Sequence, residues 1–512
     1  MTDYREHTSR IAKNTLMLYF RMFFMMLLGL FTSRIVLEAL GENDFGIYNV
    51  VGGVVAMFTI ISGSLTTAVT RFITFEMGRG DNAQPNQVYS AAVCVLAVLS
   101  VLVILLVEPI GLWFIDNKMT IDPLRIPAAR LVLHFSLFAF VVNLMSVPQM
   151  ASITAHEKMS AYAYIGVLDG MLRFCVALLI RRDVSDRLVL YAMLMSLVVL
   201  IVRIAYGIYC RLHFPECRLR PVRQKGLFKE MFSFAGWNFI GSASGVARDQ
   251  GGNILVNLFS GPAVNAARGV AVQLNSVILS FVTNFMTAVN PQITKSYASG
   301  EREYMHSLLR KSSRLSFYLL FVLSLPMLLN ADFILALWLK DVPQYTAIFV
   351  QLFIIYNLCE SISYPLVTAM LATGKIRNYQ IVVGGLQLLN LPVSYILLRI
   401  GYPPEVTVVV AIAVSQICLA ARLFMLKDMI GLSAKAYLSR VYFNVIKVAA
   451  VASAVAILAV SWFPEGTLYS CISIAVSALI AGLSCLFVGS TASERQELMS
   501  MVKNRIGNDK DR

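Results

Sequence analysis

The chain has 512 residues, 58% of them hydrophobic and 14% charged. A water-soluble domain carries roughly 25% charged residues, so this chain is too apolar to be dissolved in water. Its formal charge of +14 does not indicate nucleic acid as a partner, because the Lys and Arg sit mainly in short loops between apolar runs, where membrane topology places them.

The eight cysteines lie mostly inside apolar runs. None forms a CxxC pair or a cluster with His, which excludes a disulfide framework and a zinc site. Residues Met1 to Lys13 are polar. The run that follows, 14–40, is too long for the apolar core of a signal peptide and lacks a small-residue cleavage site, so the first helix is expected to be retained.

The apolar runs predict an all-α, polytopic membrane bundle of about fourteen transmembrane helices, each near the ~20 residues that cross ~30 Å of hydrocarbon. The first six are expected near residues 14–38, 44–70, 87–115, 126–150, 160–180 and 188–210. Eight more follow near 230–259, 262–289, 308–330, 344–372, 379–399, 405–426, 437–463 and 466–490. Residues 110–126 and 331–343 are less apolar and read as interfacial turns. Lys and Arg outside the helices are strongly biased to the segments on the side of the N-terminus, which puts both termini in the cytoplasm. Arg181, Arg182 and Arg187 are the exception, falling on the outer side.

The longest loop, 211–229, carries Arg218, Arg220, Arg223 and Lys225. It divides the chain into a six-helix lobe (1–215), a second six-helix lobe (216–430), two additional transmembrane helices (431–490) and a tail (491–512). A shift of 220 residues superposes Gly41 on Gly261, Val50 on Val270, Thr67-Ala68-Val69 on Thr287-Ala288-Val289, and Gly80 on Gly300. Six helices per repeat preserve orientation, so the repeat is expected to be parallel, about an axis along the membrane normal, as in transporters.

Ionisable side chains at bilayer depth cost at least ~2.5–3.5 kcal/mol each at a helix centre and need a partner or a wet cavity. Arg21 and Arg203 are close enough to the cytoplasmic face to snorkel, and Glu38 is expected to be wet at the outer end of its helix. Asp169 and Arg173, at i and i+4, read either as a structural pair or as a functional one. Arg34, Arg248 and Arg268 are harder to dismiss. At about 1.5 Å per residue, Arg34 lies roughly 30 Å beyond Lys13 and Arg248 roughly 28 Å beyond Lys229, and Arg268 is about two turns into the next helix from the outer side. Three guanidiniums at similar depth would suit a phosphate or carboxylate; separate pairing with Glu38, Asp249 or Glu360 is the competing account.

The seventh span is rich in Gly and polar residues (Gly236, Asn238, Gly241, Gly245, Arg248, Asp249, Gln250, Asn253). Its Gly241-xxx-Gly245 permits close helix packing, and the pattern predicts a bent helix lining a cavity. Pro148, Pro326, Pro365 and Pro392 mark candidate kinks. Glu360, in mid-helix without a carboxylate neighbour, reads either as an ion- or proton-coupling residue or as the partner of one of the arginines.

Catalytic signatures are lacking. There is no P-loop GxxxxGK[ST], His156-Glu157 is not part of HExxH, and every outer loop is too short to hold the active site of a polymerase or ligase. No metal, cofactor or enzymatic activity is expected.

With these residues in place, the sequence resembles the Wzx-type polysaccharide flippases of the multidrug/oligosaccharidyl-lipid/polysaccharide exporter superfamily. The resemblance is carried by Ile11-Ala12-Lys13-Asn14-Thr15, by Thr32-Ser33-Arg34-Ile35-Val36-Leu37, by Gly41 with Asp44-Phe45-Gly46-Ile47-Tyr48, and by Phe234-Ala235-Gly236-Trp237-Asn238. It implies two six-helix lobes in a V shape plus two C-terminal helices, with the first and seventh helices lining a central cavity. It also implies movement of undecaprenyl-diphosphate-linked oligosaccharides between leaflets of the bacterial inner membrane for O-antigen, lipopolysaccharide or capsule synthesis. The implied substrate-binding residues are Arg34, Arg248, Arg268, Arg173 and Asn238, with Asp249 and Glu360 as coupling residues. The implied partners are the lipid-linked oligosaccharide, membrane lipids, a polysaccharide polymerase and a chain-length regulator. A multidrug exporter or a lipid II flippase of the same fold, and an integral-membrane glycosyltransferase, are the alternatives; the excess of Arg over acidic residues argues against a carrier of cationic drugs.

Overall fold

A computed structural model describes residues 2–56, 59–79, 84–117, 121–181, 186–222, 226–339, 342–464, 466–491 and 494–495. Among the described residues every regular element is helical. The chain divides into two compact units, Ala12–Phe239 and one formed by Met1–Ile11 with Ile240–Arg512.

The first unit contains α1 (Thr2–Ala56) from Ala12 onward, α2 (Thr59–Met77), α3 (Pro85–Asn117), α4 (Ile126–Ala155), α5 (Met159–Leu179) and α6 (Arg187–His213). The long α7 (Leu227–Ala298) carries the chain into the second unit. There α8 (Arg302–Leu329), α9 (Ala331–Trp338), α10 (Thr346–Ser361), α11 (Tyr364–Ala372), α12 (Arg377–Leu388), α13 (Asn390–Ile400) and α14 (Val406–Ile430) follow. Short α15 (Ala434–Tyr437), α16 (Phe443–Val460) and α17 (Thr467–Ser484) complete it.

Ten helices among the described residues are long and apolar enough to cross a membrane, and eleven if the bent pair α10–α11 is one span. The expected span 14–38 lies on α1 and is not among the ten, and the expected span 44–70 runs across residues 57–58, outside the described set, from the end of α1 into α2. The expected span 230–259 lies on the first arm of α7, helical throughout but not among the ten, because its polar residues dilute the apolar run. Outward-facing Leu105, Phe424 and Leu458 are exposed, as a lipid-facing surface requires.

Two long helices break at one glycine each. In α1 the break is Gly41 (φ 75°, ψ 169°) and in α7 it is Gly261 (φ 82°, ψ 176°). Only glycine adopts such positive φ at little cost. The two breaks stand 220 residues apart, the shift at which the sequence superposes on itself. Each long helix is therefore two helical arms bent at the same repeat position.

The break at Gly41 frees carbonyls and creates a charged corner. Arg187 donates to the Ala39 carbonyl (3.2 Å), Arg181 pairs with Glu38 (2.8 Å), and Arg125 bridges Asp44 and Asp186. Arg181 and Arg187, which fall on the outer side of the expected topology, thus meet a carboxylate and a carbonyl within their own unit; Arg182 lies outside the described residues. Asn14, in the first motif of the resemblance, donates to the carbonyl of Glu157 (3.0 Å), the left-handed residue (φ 56°) at the α4–α5 turn. That motif residue fastens a corner of the fold.

Several proline expectations fall at helix boundaries. The α10–α11 pair bends by 41° just before Pro365, and α13 begins two residues before Pro392. Pro148 sits within a continuous α4. At the α10–α11 break the fully buried Tyr437 donates to the freed Ile362 carbonyl (2.7 Å) and shares a hydrogen bond with the Ser313 hydroxyl (2.8 Å). Tyr318 of α8 donates to the Gly489 carbonyl (3.0 Å). These bonds and a shared apolar core join α16 and α17 to the second unit.

After α6, the 3-10 turn Pro215–Cys217 docks on its own unit. Asn86 donates to the Glu216 carbonyl (2.8 Å), the Glu216 carboxylate bonds His156, and the His156 ring stacks on Phe214 with centroids 4.1 Å apart. Burial opposes the charge on Glu216. The His156 hydrogen bond, a backbone amide and the imidazole's charge outweigh it and hold the carboxyl below its usual range.

Candidate functional site

The first arm of α7 approaches α12 closely because both carry glycines at the contact. A methyl group at Gly241 would fall 1.8 Å from Gln380 Oε1, and Gly384 faces Ser244 and Gly241. The expected Gly241-xxx-Gly245 contact is therefore made, against Gln380 and Gln387 of α12.

This packing sets two arginines on either side of the Gly261 break. Arg248 donates to the Tyr356 hydroxyl (2.6 Å) and to its neighbour Asp249 (2.8 Å). Arg268, only 5% exposed, donates to Asn253 Oδ1 (2.7 Å) and to the Thr407 hydroxyl (3.4 Å). Gly252 leaves room for this guanidinium: a methyl group at that position would stand 2.7 Å from Arg268 Nη2 and force it to shift.

One face of α10 serves three arginines. Phe353, Tyr356 and Glu360 recur at i, i+3 and i+7, the spacing that aligns side chains along a helix. The Phe353 ring centroid lies 5.2 Å from the Arg268 guanidinium carbon, Tyr356 holds Arg248, and Glu360 pairs with Arg422 of α14 (3.5 Å). Arg422 is buried and also engages the Tyr379 hydroxyl.

Glu360 is thus the counterion of an arginine, and that arginine is none of the three expected candidates. Arg422 escapes a reading of the sequence because it stands near the end of its apolar run, close to Lys427, where snorkelling explains a basic residue. The available signal is the Phe353/Tyr356/Glu360 stripe, which implies a polar partner facing α10.

The other expected residues lie in the first unit. Arg173 donates to Asp169 (2.9 Å), the structural alternative for that pair, and buried Asn238 donates to the Ser64 carbonyl (3.3 Å) on α2. The Arg34 side chain lies outside the described residues. Arg21, expected to snorkel, instead stacks over the Tyr162 ring (4.4 Å) against Gly166, where any side chain would collide with it. Arg203, also expected to snorkel, buries Nη1 without a hydrogen-bond partner among the described residues.

In the second unit the result is a cationic site. Arg248 and Arg268 are held mainly by neutral oxygens of Tyr356, Asn253 and Thr407. Arg248 also pairs with Asp249, which is largely exposed (63% for its side chain), and feels the charge of Glu360. A guanidinium has five N–H donors, so each retains donors for an anion. No cluster of His, Cys, Asp and Glu among the described residues could hold a metal ion.

A family model described as polysaccharide biosynthesis protein matches residues 11–297, and the MatE model matches residues 252–396. The chain is 20% identical over 332 residues to the uncharacterized membrane protein EpsK of Bacillus subtilis (strain 168), a match that spans 64% of each chain. Its fold is similar to MATE in complex with MaD3S (11% identity, TM-score 0.72, 83% of this chain and 97% of that one). It is also similar to the MATE transporter ClbM in complex with Rb+ (14%, 0.65, 83% and 96%) and to a MOP superfamily transporter from Pyrococcus furiosus Vc1 (DSM3638) (10%, 0.67, 83% and 96%). At such identities the structural likeness is one of fold. The polysaccharide biosynthesis model covers more than half of the sequence, including the motifs around Asn14, Gly41 and Asn238, and the chain is a multi-pass membrane protein of that family, built on the fold of the MATE transporters.

Proposed function

We propose that this protein translocates undecaprenyl-diphosphate-linked oligosaccharide units from the cytoplasmic to the periplasmic leaflet of the bacterial inner membrane, by alternating access, for surface polysaccharide synthesis. The observation that carries the reading is the pair Arg248 and Arg268. They stand on two arms of one broken helix and are supported by neutral oxygens that leave their charge available to a diphosphate. Arg34, on the corresponding arm of α1, is assigned the same role, and Arg173 and Asn238 are assigned secondary positions along the substrate path. Both termini are placed in the cytoplasm, and a polymerase and chain-length regulator are the expected downstream partners. Of the two carboxylates, exposed Asp249 is the better candidate for coupling to an ion, since Glu360 is already paired with Arg422.

The test is complementation of a deletion strain with alanine variants at Arg34, Arg248 and Arg268, scoring surface polysaccharide and protein level. Loss of polysaccharide at normal protein level, with lipid-linked units retained in the inner leaflet, is expected. Unchanged polysaccharide in all three variants would refute the site; raised drug resistance on overexpression with normal polysaccharide would favour a multidrug exporter.

A further inference from the structure

The second unit carries another cationic cluster, remote in sequence from the α7 arginines. At the start of α8, Arg302, His306, Arg310 and Arg314 recur every four residues and form one ridge along the helix. Three of the four are engaged. The Arg302 guanidinium carbon lies 4.1 Å from the Tyr297 ring centroid, His306 Nε2 lies 3.0 Å from the Ile430 carbonyl, and Arg314 donates to the Gly489 carbonyl (3.4 Å) and pairs with Glu494. Arg310 is the fourth. Half-buried, it has no ion-pair or hydrogen-bond partner among the described residues, and the charges it faces are those of Arg314 and Arg440. Arg440 is exposed on the π-helical turn Leu438–Tyr442, which packs on α8.

Neighbouring guanidiniums on packed elements, with no carboxylate paired to either among the described residues, repel one another. Orientation of the membrane helices accounts for basic residues on this side, but it does not require two of them to converge. An anion between them removes the repulsion, and a guanidinium fork fits phosphate oxygens. The level and the surroundings indicate where that phosphate comes from. Arg310 stands just ahead of the long apolar run that begins at Leu315, and Arg440 just ahead of the one that begins at Val441, which is the headgroup level of spans starting at this end. Beside Arg440, Leu438, Phe443 and Ile446 are exposed and apolar, suited to acyl chains. We propose that Arg310 and Arg440 form a binding site for the phosphate headgroup of an anionic phospholipid, seated where α8 meets the turn before α16.

The test uses the purified full chain in nanodiscs of phosphatidylcholine with and without phosphatidylglycerol, reading retained lipid by native mass spectrometry and stability by thermal unfolding. Wild-type protein is expected to retain phosphatidylglycerol in preference to phosphatidylcholine and to be stabilised by it. R310Q/R440Q should bind it more weakly by about fivefold per arginine removed. The K427Q/K435Q pair, which removes two exposed charges, should bind as wild type. R440Q alone, at an exposed position, gives the same reading of about fivefold if the double variant does not fold. Equal losses in the arginine and lysine pairs, no preference for phosphatidylglycerol in wild type, or equal stabilisation by inorganic phosphate in phosphatidylcholine nanodiscs would each overturn the proposal.

Discussion

Replacing Glu360 with Gln leaves Arg422 charged inside the second unit. The two side chains are 11% and 2% exposed and 3.5 Å apart. At an effective dielectric constant of about 20, that separation corresponds to about 5 kcal/mol of attraction; orphaning one member of a buried pair typically costs about 3–5 kcal/mol. Without Glu360, Arg422 keeps the neutral Tyr379 hydroxyl, and its Nε and Nη1 have no hydrogen-bond partner among the described residues. Against a total stability of about 5–15 kcal/mol, E360Q should lower the thermal midpoint of the purified protein sharply, and R422M should do the same. The double variant E360L/R422M removes both charges and should recover most of the loss, because apolar replacements of buried pairs are often neutral or stabilising. A double-mutant cycle by thermal unfolding in nanodiscs measures the coupling. If E360Q is as stable as wild type yet inactive in transport, Glu360 acts as a coupling carboxylate and the assignment as a counterion is wrong.

Gly252→Ala should displace the Arg268 guanidinium, 2.7 Å from the added methyl group, and reduce surface polysaccharide as R268A does, at near-normal protein level; an active G252A protein would show that the guanidinium can shift without consequence. Gly261→Ala forces an L side chain into φ 82°, ψ 176°, a strain of about 1–3 kcal/mol, visible as a lower thermal midpoint than for alanine at Gly385, which meets open space. The depressed carboxyl of Glu216 contributes stability that is fully present above its unfolded value of about 4.3 and is lost as pH falls through its lower folded value. Acid unfolding curves of wild type and E216Q should therefore differ by a constant amount above about pH 5 and converge as pH falls through the lower folded value; a gap that widens at low pH would contradict the assigned direction.

The sequence by itself determined that the chain lives in a bilayer, where most of its spans begin and end, and that Gly41 and Gly261 occupy equivalent places. These follow from local properties: hydropathy over some twenty residues, and a glycine repeated at a fixed interval. It also singled out Arg248 and Arg268, because a guanidinium at that depth is anomalous whatever surrounds it. Tertiary structure alone decided the partners. Tyr356 lies 108 positions from the Arg248 it holds, Thr407 lies 139 from Arg268, and Asn14 reaches a carbonyl 143 residues away. Glu360 is a counterion because α14 delivers Arg422 to its side of α10, and Arg21 lies against α5 because Gly166 leaves it room. Hydropathy records only whether a side chain is costly in lipid. What neutralises it depends on which helix packs alongside, and that is a property of the assembled bundle.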